Sequence, residues 1–146
     1  MSANGLAVFD KTLQTTHIWL DQIMTRIGPD RQVAWKVLGT VLHKLRDRLP
    51  AEASAHLAAQ LPLLIRGAYY DQYRPSEQPT DCRTREEFVD EVAEWLADTR
   101  PVDPEEAIAA VFDAISRNVD AGQVEKIKRV LPKAIREMWI MAEEPA

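Results

Sequence analysis

Leu38, Val41, Leu42, Leu45 and Leu49 recur every three or four residues, the interval that keeps side chains on one face of an α-helix. Leu57, Leu61, Ile65 and Tyr69 continue that rhythm, and Ile108, Val111, Phe112, Ile115 and Val119 repeat it later in the chain. The pattern predicts an all-α fold, with helices near 6–27, 31–49, 51–61 and 62–73, then 85–98, 104–118, 121–131 and 132–142.

Shifting the chain against itself by 70 residues lays Leu38–Tyr69 on Ile108–Trp139 without a gap. Six of the 32 positions are identical: Val41, Ala51, Leu61, Pro62, Ile65 and Arg66 face Val111, Ala121, Leu131, Pro132, Ile135 and Arg136. The apolar register carries more weight than these identities, because every stripe residue from Leu38 to Tyr69 meets an apolar or aromatic counterpart. Upstream the shift becomes 69, with Trp19 opposite Phe88, so one residue of loop length separates the two registers. The expectation is two tandem copies of a three- to four-helix unit, over 1–73 and 85–146, sharing one compact body. A polar connector, 74–84, joins them, and stacked helical units of this kind present extended faces.

Helix ends are written in the same code. Thr84 with Glu87, and Asp103 with Glu106, have capping-box spacing, in which two side chains satisfy each other's free amides; Asp120 with Gln123 is a weaker version. Asp30 is placed to cap the second helix, and Pro104 stands where a missing N–H costs nothing. Pro62 and Pro132 each remove a helical N–H and push the preceding leucine out of helical angles. Each unit is therefore expected to bend at its Leu-Pro step, folding its last helix back over itself.

The runs AWKVLGTVLHKLRDRLPAEASAHLAAQLPLLIRGAYYDQYRP and EEFVDEVAEWL, with the later VLPKAIREMW, resemble the bacterial domain of unknown function 2267 family. The resemblance extends from about Trp19 to Trp139 and rests on the RDRLP step, the AAQLPLLIRGAYY stretch and its echo. It implies an all-helical bacterial protein and brings no established activity, so no catalytic residue is carried over.

At 146 residues, with 46% apolar and 28% charged side chains, the chain can bury a core without a disulfide or metal staple. A lone cysteine, Cys82, closes no bridge, and neither a secretory signal nor a long apolar span is visible, which points to the cytoplasm and away from a membrane. The net charge of −5 argues against general nucleic-acid binding. Acidity concentrates in residues 81–113, which hold eleven acidic and three basic side chains.

Two candidate sites follow. Arg66 shares a helical arc with Tyr69, Tyr70 and Tyr73, an edge able to hold an anion, a planar ligand or a partner. Its plainer reading places Tyr69 in the core, with Arg66 covering it or bonding carbonyls loosened by Pro62. Lys126, Arg129, Lys133 and Arg136 form a basic stripe that could meet phosphate, or simply balance the acidic segment.

Glu87, Glu91, Glu94 and Asp98 can share a face, but His17, His43 and His56 supply no paired ligand motif, so no metal site is expected. The glycines form no phosphate loop or nucleophile elbow. Gly39 and Gly67 are expected to permit close helix contact. Trp19, Trp35 and Tyr69 could line a ligand cleft, or fill the core. The sequence thus favours a non-catalytic protein-interaction or scaffold module without a cofactor; the alternative is a small-molecule or anion binder using a cleft or edge between the units.

Overall fold

The computed structural model describes residues 5–144, so the expected outer limits of the two units, residues 1 and 146, lie outside the described residues. Among the described residues the chain is all-helical: α1 (Ala7–Ile27), α2 (Arg31–Arg46), α3 (Ala51–Gln60), α4 (Leu63–Tyr70), α5 (Arg85–Trp95), α6 (Pro104–Asn118), α7 (Ala121–Val130) and α8 (Lys133–Glu143). The connector adds one 3-10 turn, Pro75–Glu77, and is anchored where the Thr80 amide donates to the Asp47 carbonyl (2.7 Å). Among the described residues, no helix is long and apolar enough to cross a membrane.

The helix ends follow the chemistry of their caps. Thr84 and Glu87 form the complete capping box, and Asp30 and Asp120 accept the amides of Val33 and Gln123. The box expected from Asp103 and Glu106 does not form: Asp103 caps Glu105 instead, while Glu106 turns to Arg26 at 3.8 Å. Several helices stop earlier than their apolar pattern. Helix α2 ends at Arg46 rather than 49, α4 at Tyr70 rather than 73, and α5 at Trp95 rather than 98, each running on into turns.

Both Leu-Pro steps break the helix outright. Leu61 (φ −83°, ψ 146°) and Pro62 (φ −57°, ψ 150°) are extended, and Leu131 (φ −78°, ψ 152°) and Pro132 (φ −53°, ψ 144°) match them closely. Each proline is the cap residue before its helix, and both leucines are buried. Gly28, at φ 110°, ends α1 in a conformation that side chains resist.

Helices α2 and α6 form the centre, burying Val37, Leu38, Val41 and Leu42 from one and Ile108, Val111, Phe112 and Ile115 from the other. They pack on each other; α1 crosses onto α6 and α5 onto α2, while α3 meets α7. Trp19, Tyr69, Phe88 and Trp139 are fully buried in this one continuous core. Helix α1 thus packs on α6 and α5 on α2, so helices from both ends of the sequence share the one core. The expected close helix contact at the glycines is absent too: a Cβ added at Gly39 or Gly67 would meet nothing within 4 Å.

Candidate functional site

Arg66 is tied to the Leu-Pro break. Its Nε donates to the carbonyl of Ala58 (2.9 Å) and an Nη to that of Leu61 (2.9 Å), satisfying acceptors left at the end of α3. Arg136 repeats this on Lys128 (3.0 Å) and Leu131 (3.2 Å). Tyr69 lies in the core, its hydroxyl donating to the Ser54 carbonyl at 3.0 Å; burial pushes its phenol well above the usual tyrosine range.

Tyr70 is exposed and stands 5.8 Å from Tyr73, ring centre to ring centre. The cation nearest this pair comes from α2: the Arg46 guanidinium lies 5.2 Å from the Tyr73 ring and donates to the carbonyls of Tyr69 and Asp71. Of the basic stripe, Lys126 and Arg129 are exposed, Lys133 faces Glu137 at 3.8 Å and Arg136 is the capping arginine just described. Buried Lys128, between them, pairs with Glu143 and Glu125.

The acidic face disperses. Glu87 caps α5, Asp98 pairs with Lys36, and Glu91 reaches Arg48 at 2.8 Å. Among the described residues, no three His, Cys, Asp or Glu side chains gather as a metal site would require. Cys82 is half-buried in the connector, with Thr80 and Glu87 as its polar neighbours.

A groove of about 390 Å³ lies between α2, α4 and α5. Gly39, Thr40 and Ala68 form its floor, with Trp35 and Trp95 (36% and 46% exposed) on its walls. His43 on α2 bonds the Ala68 carbonyl through Nε2 at 2.6 Å; burial pulls its imidazole below the usual histidine range. Lys44 lies 4.7 Å from the Trp95 ring centre.

A second groove, about 180 Å³, lies between α6, α8 and α1. Its residues fall at the same registers: Glu105 opposite Trp35, Ala109 opposite Gly39, Met138 opposite Ala68, all 70 positions on, and Arg26 opposite Trp95 at 69. Here Arg26 lies across the groove, donating to the carbonyls of Ala109 and Ala142 (3.4 Å each). A third hollow, about 240 Å³, separates α3 from α7, with Ala53, Ile127 and Val130 as apolar walls and His56 and Lys126 at its rim.

Sequence reasoning named Trp35 as a cleft candidate but passed over Trp95. Trp95 and Leu96 both stand at helical spacing from Phe88 and Val92, and only the packed structure shows Leu96 buried and Trp95 outside. Trp19 and Tyr69, named with Trp35, are fully buried in the core. Residue spacing carried no signal for the Arg48–Glu91 bridge, because an arginine near a helix end is ordinarily a surface residue.

Comparison with known proteins agrees with this fold-only picture. The model of a family described as an uncharacterized conserved protein (DUF2267) matches residues 16–138, most of the chain. No curated protein gives a significant match.

Proposed function

The chain belongs to the DUF2267 family, to which no activity is attached, and from that premise we propose that it is a non-catalytic binding module whose partner is another protein, docked at the α2–α4–α5 groove. The observation that carries this reading is the pair of exposed tryptophans flanking a floor of Gly39 and Ala68. Tryptophan is among the side chains most enriched at interface hot spots, and here two of them stand partly exposed beside one hollow. Tyr70, at the end of α4, is exposed, and its ring lies 5.8 Å from that of Tyr73.

The groove has this form, in our reading, because the chain is a duplication closed by an approximate two-fold. In support, α1 packs on α6 as α5 does on α2, α1 on α4 as α5 on α8, and α2 on α4 as α6 on α8. The self-paired contacts, α2 with α6 and α3 with α7, lie where an axis would pass. The matching arginine caps at Arg66 and Arg136 add to it. A duplicated scaffold yields two equivalent grooves, of which one is free to diverge.

The test is capture of a partner by the immobilised chain, repeated with Trp35→Ala and Trp95→Ala and confirmed with the purified partner. Loss of binding in both variants, at an unchanged melting temperature, is the expected result. Undiminished binding removes the groove from the account. A second reading, a small-molecule binder, rests on the apolar hollow between α3 and α7. A metabolite that raises the melting temperature of the native chain but not of Ile127→Ala or Val130→Asp variants would favour it.

A further inference from the structure

We infer that the α2–α4–α5 groove accepts an arginine side chain presented by a basic segment of the partner protein. The inference rests on the proposed docking function and adds the chemistry of the occupant. Its first support is internal. In the equivalent groove of the second half the chain lays its own guanidinium, that of Arg26, across the floor, where it meets two carbonyls and stands 3.8 Å from Glu106. At the corresponding registers the first groove has Trp95 in place of Arg26 and Lys36, paired with Asp98, in place of Glu106, and its lining is reduced from Ala109 and Met138 to Gly39 and Ala68. The groove is wider, at about 390 against 180 Å³, and the group that bridges the other one is missing from it.

The second support is charge and aromatic character. A guanidinium is weakly hydrated, planar and stacks on indole faces, so walls made by Trp35 and Trp95 suit arginine better than lysine. The Trp95 ring already attracts a cation, since the Lys44 ammonium sits 4.7 Å from its centre. The charges facing the groove are mostly cancelled: Lys36 is paired with Asp98, while Lys44 and Arg48 share Glu91. Burial favours neutral His43. What remains is Asp71 in the groove and, outside its lining, the exposed carboxylates of Asp90 and Glu94 on the α5 bank, for which no ion pair is formed among the described residues. A basic partner is drawn to that bank, and the field gives orientation and encounter rate as well as affinity.

The experiment uses the full chain and a short blocked peptide in which arginine is flanked by small residues and lysine, read by calorimetry and by tryptophan emission. Trp19 and Trp139 are buried, so an emission change reports Trp35 and Trp95. The expected result is saturable binding that weakens about tenfold or more when arginine is replaced by citrulline, its neutral near-isostere. Asp71→Asn and Glu94→Lys, both at exposed positions, should weaken it most at low salt, the difference from the native chain shrinking as salt rises, while Met138→Ala, in the other groove, should leave it unchanged. Equal binding of the citrulline and arginine peptides ends the arginine inference but leaves protein docking at the groove standing. So does failure of both peptides while a purified partner still requires Trp35 and Trp95. Loss of that requirement as well would overturn both.

Discussion

The groove walled by Trp35 and Trp95 and the one crossed by Arg26 are built from corresponding helices, yet one is open and the other bridged. The backbone framework does not make that difference, since the Leu-Pro breaks and arginine caps agree in both halves. A few side chains do. Gly39 and Ala68 against Ala109 and Met138 set the depth, and Trp95 against Arg26 decides whether the chain spans its own groove. On our reading of the chain as a duplication, similar scaffolding serves stability in one groove and leaves a surface in the other.

The same contrast runs through the contacts that join the halves. Arg48, fully buried, donates to Glu91 and to the Lys44 carbonyl. Seventy positions on, Asn118 donates to Gln22 (2.6 Å) and to the Ala114 carbonyl (2.7 Å), and Gln22 stands 69 positions before Glu91. One junction is therefore ionic and its counterpart is an amide pair. Breaking them sharpens the comparison most. Glu91→Ala strands a buried guanidinium and is expected to lower unfolding free energy by about 3–5 kcal/mol in urea titration. Gln22→Ala is expected to cost about 1–2 kcal/mol, since it orphans only a neutral donor. Equal losses would show that the two junctions are energetically alike.

Leu61→Ala and Leu131→Ala come next, at about 2–5 kcal/mol each, because both leucines are 2% exposed beside their prolines. Similar losses are expected from the same denaturation curves. A difference of several kcal/mol between them would separate the halves that the dihedral angles unite. Smaller again is Gly39→Ala. The site is helical with open space around the added methyl, so this change is expected to raise stability by about 0.5–1 kcal/mol. It should weaken partner binding at the same time, which a glycine needed for packing would not do.

Much of this fold was legible from residue spacing. The core stripes, the breaks at Pro62 and Pro132 and the caps at Asp30 and Thr84 depend on local chemistry, which a single chain carries in full. The packing of α1 on α6 and of α5 on α2 was not legible, because spacing shows which face is apolar and not which helix will cover it. Arg66 illustrates the limit at the site: its spacing from the tyrosines was visible, whereas its engagement with Ala58 and Leu61 depends on how the break turns α4 over α3. Trp95 shows it again, since Leu96 competes for the same buried place.

His43 provides the smallest expected effect. Burial lowers its pKa in the folded state, so the unfolded chain binds the proton more readily. The stabilising contribution is complete above the ordinary histidine range and declines as pH falls through it. His43→Gln should therefore flatten the drop in melting temperature on acidification across that range, and an unaltered pH profile would exclude His43 as its source.

The central claim, that one groove receives a partner while its counterpart serves the chain itself, is tested most directly by NMR of the ¹⁵N-labelled chain titrated with the arginine peptide. The account predicts shifts of the Trp35 and Trp95 indole N–H signals and of the Gly39 and Ala68 amides, with those of Trp19, Trp139, Ala109 and Met138 unmoved. Shifts centred on Ala109 and Met138, or on Ile127 and Val130 between α3 and α7, would contradict it.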